Sequence, residues 1–260
     1  VRPNSSPRPT DQQDFFMSDA ARAELAPTGV LRAAINLSNF LLVTGKAANG
    51  DPEGVSPSMA AEVARRLGVE VVYVTFKTPG ELADAATEDR WDIGLIGAEP
   101  ARAVHIDFTA AYSEIEATYL VPPGSSITSV DEVDRPGRHI AVPARAAFEL
   151  WLTDNIRHAQ LHRTTGADGA FKAFTEQRMD ALAGLRAGLG KDAERLPGSR
   201  ILDGQFTAVQ QAIGTRKGRP AGAAFLREFV EEAKAAGFVA ELIERFGVAG
   251  RLGVAPLARD

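Results

Sequence analysis

Residues 56–96 read SPSMAAEVARRLGVEVVYVTFKTPGELADAATEDRWDIGLI, and this stretch decides the fold class. Ser56 and Pro57 put a capping residue and a proline at the start of a helix. Met59, Ala60, Val63, Ala64 and Leu67 then recur at helical spacing, and Gly68 ends the run. Val69–Phe76 (VEVVYVTF) is rich in β-branched residues and predicts a strand. Thr78-Pro79-Gly80-Glu81 has the spacing of a capping box, which opens a second helix running to about Glu88. Trp91–Ile96 (WDIGLI) closes the stretch as a buried strand. Strands separated by helices at this interval are the signature of βαβ units and a largely parallel sheet.

The alternation extends in both directions. Upstream, Leu31–Leu37 (LRAAINL) predicts a strand with a polar tip at Ser38 and Asn39. Downstream, Ile115–Val121 (IEATYLV) predicts a strand that runs into Pro122-Pro123-Gly124-Ser125-Ser126, the clearest linker in the chain. Beyond the linker the pattern restarts. Strands are expected at His139–Val142, Gln160–Arg163 and Asp180–Ala183, and helices at Ala146–Thr153 and Asp168–Gln177, the latter with Phe171 and Phe174 inward. Val209–Gly214 follows as a strand, then an amphipathic helix Pro220–Ala236 stopped by Gly237, then a last helix Phe238–Phe246. The restart predicts a second α/β lobe, and no repeat of solenoid length is present.

Composition removes several classes of function. The 260 residues are 45% hydrophobic and 24% charged, enough for a sizeable core. A net charge of −5 argues against a nucleic-acid partner, whose binding rests on clustered Lys and Arg. No apolar run reaches the roughly 18–20 residues of a membrane span. The absence of cysteine excludes disulfides, a thiol nucleophile and Cys-ligated metal. The glycines around Gly184–Gly190 and the run Thr165–Gly169 match neither dinucleotide nor P-loop spacing, and no serine sits in G-x-S-x-G. His158 and His162 stand four apart, but a helix end and a strand share that stretch, so no metal site is expected, and no cofactor either. Val1–Phe16, polar and Pro-rich, reads as a flexible arm, and Ser18 as the cap of a short helix ending before Pro27. No signal peptide is visible, which keeps a cytoplasmic location possible.

Several short segments follow one another in a particular order. A strand with a polar tip (Arg32–Asn39) precedes Gly54-Val55-Ser56-Pro57-Ser58-Met59-Ala60, then Trp91-Asp92-Ile93-Gly94. Pro100-Ala101-Arg102 follows, then Ile106-Asp107-Phe108-Thr109-Ala110-Ala111-Tyr112 and the linker. This order resembles the family 3 extracellular solute-binding proteins, the polar-amino-acid receptors of ABC transporters. The resemblance covers roughly Gly29–Val254, and its most specific piece is the Arg102 to Tyr112 run. It implies a two-lobe periplasmic-binding-protein-like α/β fold with a mixed, mostly parallel sheet in each lobe and two hinge strands between them. The arm and short helix occupy residues 1–27. The first lobe is then 28–118 with 210–254, the second 121–208, and the hinges 119–123 and 207–213. The implied function is capture of a small carboxylate-bearing solute, amino acid or organic acid, in the interlobe cleft. The implied partner is a transporter permease, the implied location is periplasmic or extracytoplasmic, and a monomer is expected.

The same resemblance implies a ligand-binding set. Arg102 matches the arginine that grips a ligand carboxylate, a task suited to the rigid donor fork of a guanidinium; the bland reading is a surface arginine at a helix start. Asn36 falls where an aspartate is frequent, and Asn39-Phe40 where an aromatic covers the ligand; turn chemistry explains the asparagines equally well. Gly97 and Ala98 continue the first-lobe rim, and Arg145 and Ala146 stand in the second-lobe loop that usually supplies a threonine. Two departures matter. Gly184-Leu185-Arg186 offers no acid where the family's aspartate meets the ligand ammonium, and Arg145 facing Arg102 favours a more anionic ligand. Neutral α-amino acids are therefore expected to be poor ligands, since a buried unpaired ammonium is costly. No catalytic residue is assigned. A cyclohexadienyl-dehydratase-like lyase is the alternative, with Glu99, Glu114 and Glu116 the only acids near the motif and His105 beside them. A ligand-sensing domain is a third reading.

Overall fold

The computed structural model describes residues 19–258; the expected arm Val1–Phe16 and the Ser18 cap lie outside the described residues. Helix α1 (residues 19–25) leads into β1 (Val30–Asn36), a small ribbon β2 (Gly45–Lys46) and β3 (Pro52–Glu53), α2 (Val55–Leu67) and β4 (Glu70–Phe76). Next come α3 (Pro79–Asp84), β5 (Ile93–Gly97), α4 (Pro100–Ala103), β6 (Ile106–Phe108) and β7 (Ser113–Val121). The second half holds β8 (His139–Pro143), α5 (Ala147–Asn155), β9 (Gln160–Thr164), α6 (Gly166–Glu176), β10 (Ala181–Leu185), α7 (Arg186–Arg195) and β11 (Arg200–Ile201). The chain finishes with β12 (Thr207–Arg216), α8 (Pro220–Ala235), α9 (Phe238–Arg245) and β13 (Gly253–Val254).

The main strands hydrogen-bond in the order β4-β1-β5-β12-β7-β10-β8-β9. Pairings β1–β4, β1–β5, β8–β9 and β8–β10 are parallel, as buried βαβ units require. The two long strands β7 and β12 run antiparallel to each other through Thr207↔Ala117 to Gln211↔Ser113, and they pass from one half of the sheet to the other. Core packing divides at the same place. Ile115 and Ile213 belong to a cluster with Leu31, Met59 and Phe229, whereas Ala117 and Val209 belong to one with Tyr119, Ile140 and Leu152. Two further clusters, around Trp91 and around Phe174, fall one on each side of the same divide, so the molecule has two lobes with separate apolar packing. The Pro122–Ser126 stretch follows β7 on the second-lobe side of that division.

Local details depart from the sequence pattern in instructive ways. Gly54, not Ser56, is the N-cap of α2; its φ of 147° lies in the glycine-favoured region, and a Cβ there would come within 2.3 Å of the Leu42 carbonyl. Ser56 is instead buried, its hydroxyl 2.8 Å from the Tyr112 hydroxyl. Thr78 caps α3 by accepting from the Glu81 amide at 3.2 Å, but the helix closes at Asp84 and tightens into one 3₁₀ turn, Ala85–Thr87. Helix α7 has no counterpart in the sequence pattern, because Gly188 and Gly190 lower helix propensity there. Leu189, Ala193 and Leu196, spaced i, i+4, i+7, pack on one apolar cluster and are the signal that identifies it.

Both ends of the described chain dock on the first lobe. Glu24 accepts from the Gly222 amide at 2.7 Å and so caps α8, while Leu25 fills the space left by Gly222. At the other end, buried Lys234 donates to the Pro256 carbonyl at 2.8 Å.

Asp92, fully buried, is the polar node of the first lobe. It accepts from Arg32 Nε and Nη2 at 2.9 Å each and from the Arg32 amide at 3.0 Å, and Arg219 Nη1 lies 3.2 Å away. Removing the carboxylate leaves two guanidinium groups without this counterion. Asp92→Asn is expected to destabilise the fold by about 3 kcal/mol, near the lower end for a broken buried pair, read as a shift of the urea midpoint at unchanged slope.

Candidate functional site

A cavity of about 250 Å³ lies between the lobes. The carboxyl ends of β1, β5, β8 and β10 meet it through Asn36, Gly97, Pro143 and Leu185, which is where open α/β sheets place ligands. Its wall is mainly apolar, with Phe40, Pro79, Phe148, Leu182, Leu185 and Val209 on it. Gly97 permits the close approach of the lobes. A Cβ at that position would meet Ala147 Cβ at 2.8 Å and Val209 Cγ1 at 3.0 Å.

Arg102 is the cation of this wall among the described residues. Only 5% exposed, it donates Nη1 to the Gly97 carbonyl at 2.7 Å and Nη2 to the Arg145 carbonyl at 3.0 Å. Among the described residues it makes no hydrogen bond to a carboxylate, and of its five N–H donors two are engaged. Burial pushes its pKa down to about 10; nearby Glu99 works against that shift and Arg145 adds to it. Glu99 itself is pushed up to about 7, chiefly by burial, with Arg102 opposing. Glu99 does not line the cavity.

The sequence-derived set separates into two groups. Asn36, Asn39, Phe40, Gly97, Arg102 and Ala146 line the cavity together. Asn36 Oδ1 accepts from the Ser38 amide at 3.1 Å and the Ser38 hydroxyl at 2.8 Å, and Asn39 Oδ1 from the Leu41 amide at 3.2 Å. Their carbonyl oxygens are thus spent on turns, as such residues favour. The Phe40 ring is covered from the second lobe by the Lys191 ammonium, 4.2 Å from its centroid. Ala98 and Arg145 do not line the cavity. Ala98 donates its amide to the Gln210 carbonyl at 2.8 Å, and the Arg145 side chain, expected to face Arg102, turns instead to Asp84 at 2.6 Å. A carboxylate within reach of both fork nitrogens holds it there, and the pairing lowers the pKa of Asp84.

Three features of the wall have no signal in the sequence motifs. Helix α7 contributes Gly188, Leu189 and Asp192. Asp192 is the one carboxylate on the lining; burial raises its pKa, and Arg195 at 3.1 Å opposes that shift. Gln211, 4% exposed, adds a carboxamide from β12, and Thr78 adds a hydroxyl from the first lobe. Of the two histidines spaced four apart, His162 on β9 lies 2.7 Å from His139 on β8, and His158 sits in the preceding loop. Among the described residues no group of three or more metal-ligating side chains occurs, and no helix is long and apolar enough to cross a membrane.

No curated protein matches the chain in sequence. Solved structures match most of it. A mutant of ArgBP from T. maritima superposes with a TM-score of 0.68 at 21% identity, covering 87% of this chain and 99% of that one. A putative ABC-transporter binding component from Wolinella succinogenes, complexed with lysine, gives 0.69 at 20% identity, with 85% and 97% covered. The ancestral amino acid-binding protein AncCDT-1, a precursor of cyclohexadienyl dehydratase, gives 0.67 at 22% identity, with 86% and 97% covered. These likenesses establish the two-lobe fold. The family model for bacterial extracellular solute-binding proteins, family 3, matches residues 39–249, and the chain belongs to that family.

Proposed function

We propose that the cleft captures a small solute with one carboxylate and a mainly apolar body, for delivery to an ABC-transporter permease outside the cytoplasm. The observation that carries this reading is Arg102: a guanidinium 5% exposed, bonded to two carbonyls, on the wall of a cavity of about 250 Å³. A buried cation whose protein partners are neutral is completed by an anion, and three of its donors remain for one. The apolar wall suits a hydrocarbon or aromatic body. Arg145 is neutralised by Asp84, so nothing in the wall calls for a second anionic group on the solute. Gly184 and Leu185 line the wall with no acid between them, which disfavours a plain α-ammonium. Asp192 supports a second reading, a basic amino acid such as the lysine of the Wolinella complex, with that carboxylate as the counter-charge. A lyase reading requires an acid in the cavity; Glu99 is outside the lining, which leaves Asp192 as its candidate.

A thermal-shift panel of benzoate, phenylacetate, succinate, alanine, lysine and arginine tests the order. The monocarboxylates are expected to stabilise most; a response to lysine or arginine alone favours the second reading, and a response to succinate alone overturns the single-carboxylate assignment. For the best binder, calorimetry is expected to show Arg102→Gln weakening affinity at least 30-fold, the low end of about 2–5 kcal/mol for a truncated buried charge contact. Equal affinity in the variant removes Arg102 from the site.

Glu99 makes a separate prediction. With its pKa raised from 4.5 to about 7, the folded state holds a proton that the unfolded chain has lost across that window. The stability this contributes is present below pH 4.5 and falls away as pH rises through 7. Glu99→Gln is therefore expected to melt like the wild type at pH 5 and to be more stable at pH 8. The gain is about 1 kcal/mol once solvent screening of this half-buried group is allowed for. Identical melting differences at both pH values would show that Glu99 titrates normally.

A further inference from the structure

Arg102 and Arg145 belong to opposite lobes, and each crosses the cleft toward the other's side. Arg102, on α4 of the first lobe, donates Nη1 to Gly97 of its own lobe at 2.7 Å and Nη2 to the Arg145 carbonyl of the second lobe at 3.0 Å. The Arg145 side chain runs the opposite way. Its Nη1 and Nη2 reach Asp84 Oδ2 and Oδ1 at 2.9 and 2.6 Å, and Nη2 also lies 3.3 Å from the Gly80 carbonyl, both partners on α3 of the first lobe. The Gly80 position is open for this purpose: a Cβ there would sit 2.9 Å from Arg145 Cζ.

The backbone of Arg145 is held for the task. Its φ of 63° is left-handed, a region that residues with a Cβ rarely enter and that persists only when the surroundings fix it. The fixing group is Glu149, 3% exposed, which accepts from the Arg145 amide at 2.8 Å. Glu149 is itself tied to Arg163 Nε at 2.7 Å and to the Thr153 hydroxyl at 2.8 Å. The amide, carbonyl and side chain of one residue are thus committed to four partners, three of them across the cleft.

We propose that Arg145 is a positioning residue of the cleft: its side chain latches the lobes through Asp84 and Gly80 while its carbonyl fixes the guanidinium of Arg102. Closure and orientation of the anchor then form as one unit, before solute arrives. Only the role of the oriented guanidinium rests on the function proposed above; the latch is a property of the protein without solute. The pair is solvent-exposed on both sides, so its effect on the closed population is modest in size and sensitive to salt.

The absence of cysteine allows a clean test. Spin labels on Glu88→Cys in the first lobe and Asn155→Cys in the second, both exposed, report the interlobe distance by pulsed dipolar EPR in solute-free protein. Asp84→Asn and Arg145→Ala are each expected to reduce the short-distance population two- to fivefold, as is 0.5 M NaCl in the parent. Asp84→Arg combined with Arg145→Asp restores it, since Asp is among the residues that tolerate the left-handed region; loss of packing alone would not recover on exchanging the charges. In the same samples, the two Nη signals of Arg102 are expected to be resolved by NMR in the parent and the exchanged variant, and averaged in Arg145→Ala. Unchanged distances in both single variants, no short-distance population in the parent, or averaged Nη signals in the parent each overturn the proposal. Because no solute is present, the latch stands or falls independently of any carboxylate panel.

Discussion

A guanidinium removed from water must be given acceptors, and the placement of Arg102 organises the rest of the cleft around that requirement. The described residues supply two carbonyls, one from each lobe, and no carboxylate bonded to it. A carboxylate partner would satisfy the cation internally and leave nothing for a solute to complete. Neutral acceptors hold the group in place while keeping its charge available, and burial makes that charge effective by thinning the solvent around it. The depressed pKa of Arg102, about 10, still leaves it protonated at neutral pH, so the positive charge persists.

The scaffold makes this possible by letting two sheets share two strands. β7 and β12 pair with each other at 113–117 and 207–211 and carry the hydrogen-bond network across, yet the apolar cores on either side do not merge. Backbone continuity without core continuity gives a joint that bends without exposing a hydrophobic interior. Asn36, Gly97, Pro143 and Leu185 face the gap from strand ends, where backbone polar atoms are left unpaired by the sheet. Leu185, at the end of β10, is the one of these that touches both lobes' packing: it lies against each of the two clusters.

Most of the architecture was legible in the sequence because strand and helix alternate with clear punctuation: Gly68 at the end of α2, Thr78-Pro79 at the start of α3, Gly237 between α8 and α9. Arg102 was legible through its neighbours up to Tyr112. What stayed hidden depends on contacts distant in sequence. Gly54 is required by Leu42, Ser56 is claimed by Tyr112, and Arg145 is claimed by Asp84; no local pattern announces any of these. Helix α7 was hidden by its glycines, and with it went Asp192, the wall's one carboxylate. Asn36 and Asn39 show the converse, since residues suited to turn chemistry end up on the cavity wall because the turns themselves are there.

The docking of both described ends on one lobe has a mechanical consequence. Glu24 under α8 and Lys234 under the Pro256 carbonyl fasten the beginning and the end of the described chain to the same rigid body. The second lobe is therefore a cantilever, carried on the first by the paired strands β7 and β12. Held by either end, on a surface or by a neighbouring molecule, the first lobe becomes the frame and the second the only moving jaw. The whole opening stroke then appears at the face carrying α5, α6 and α7, so a partner that senses occupancy needs to touch only that jaw and a fixed point on the frame.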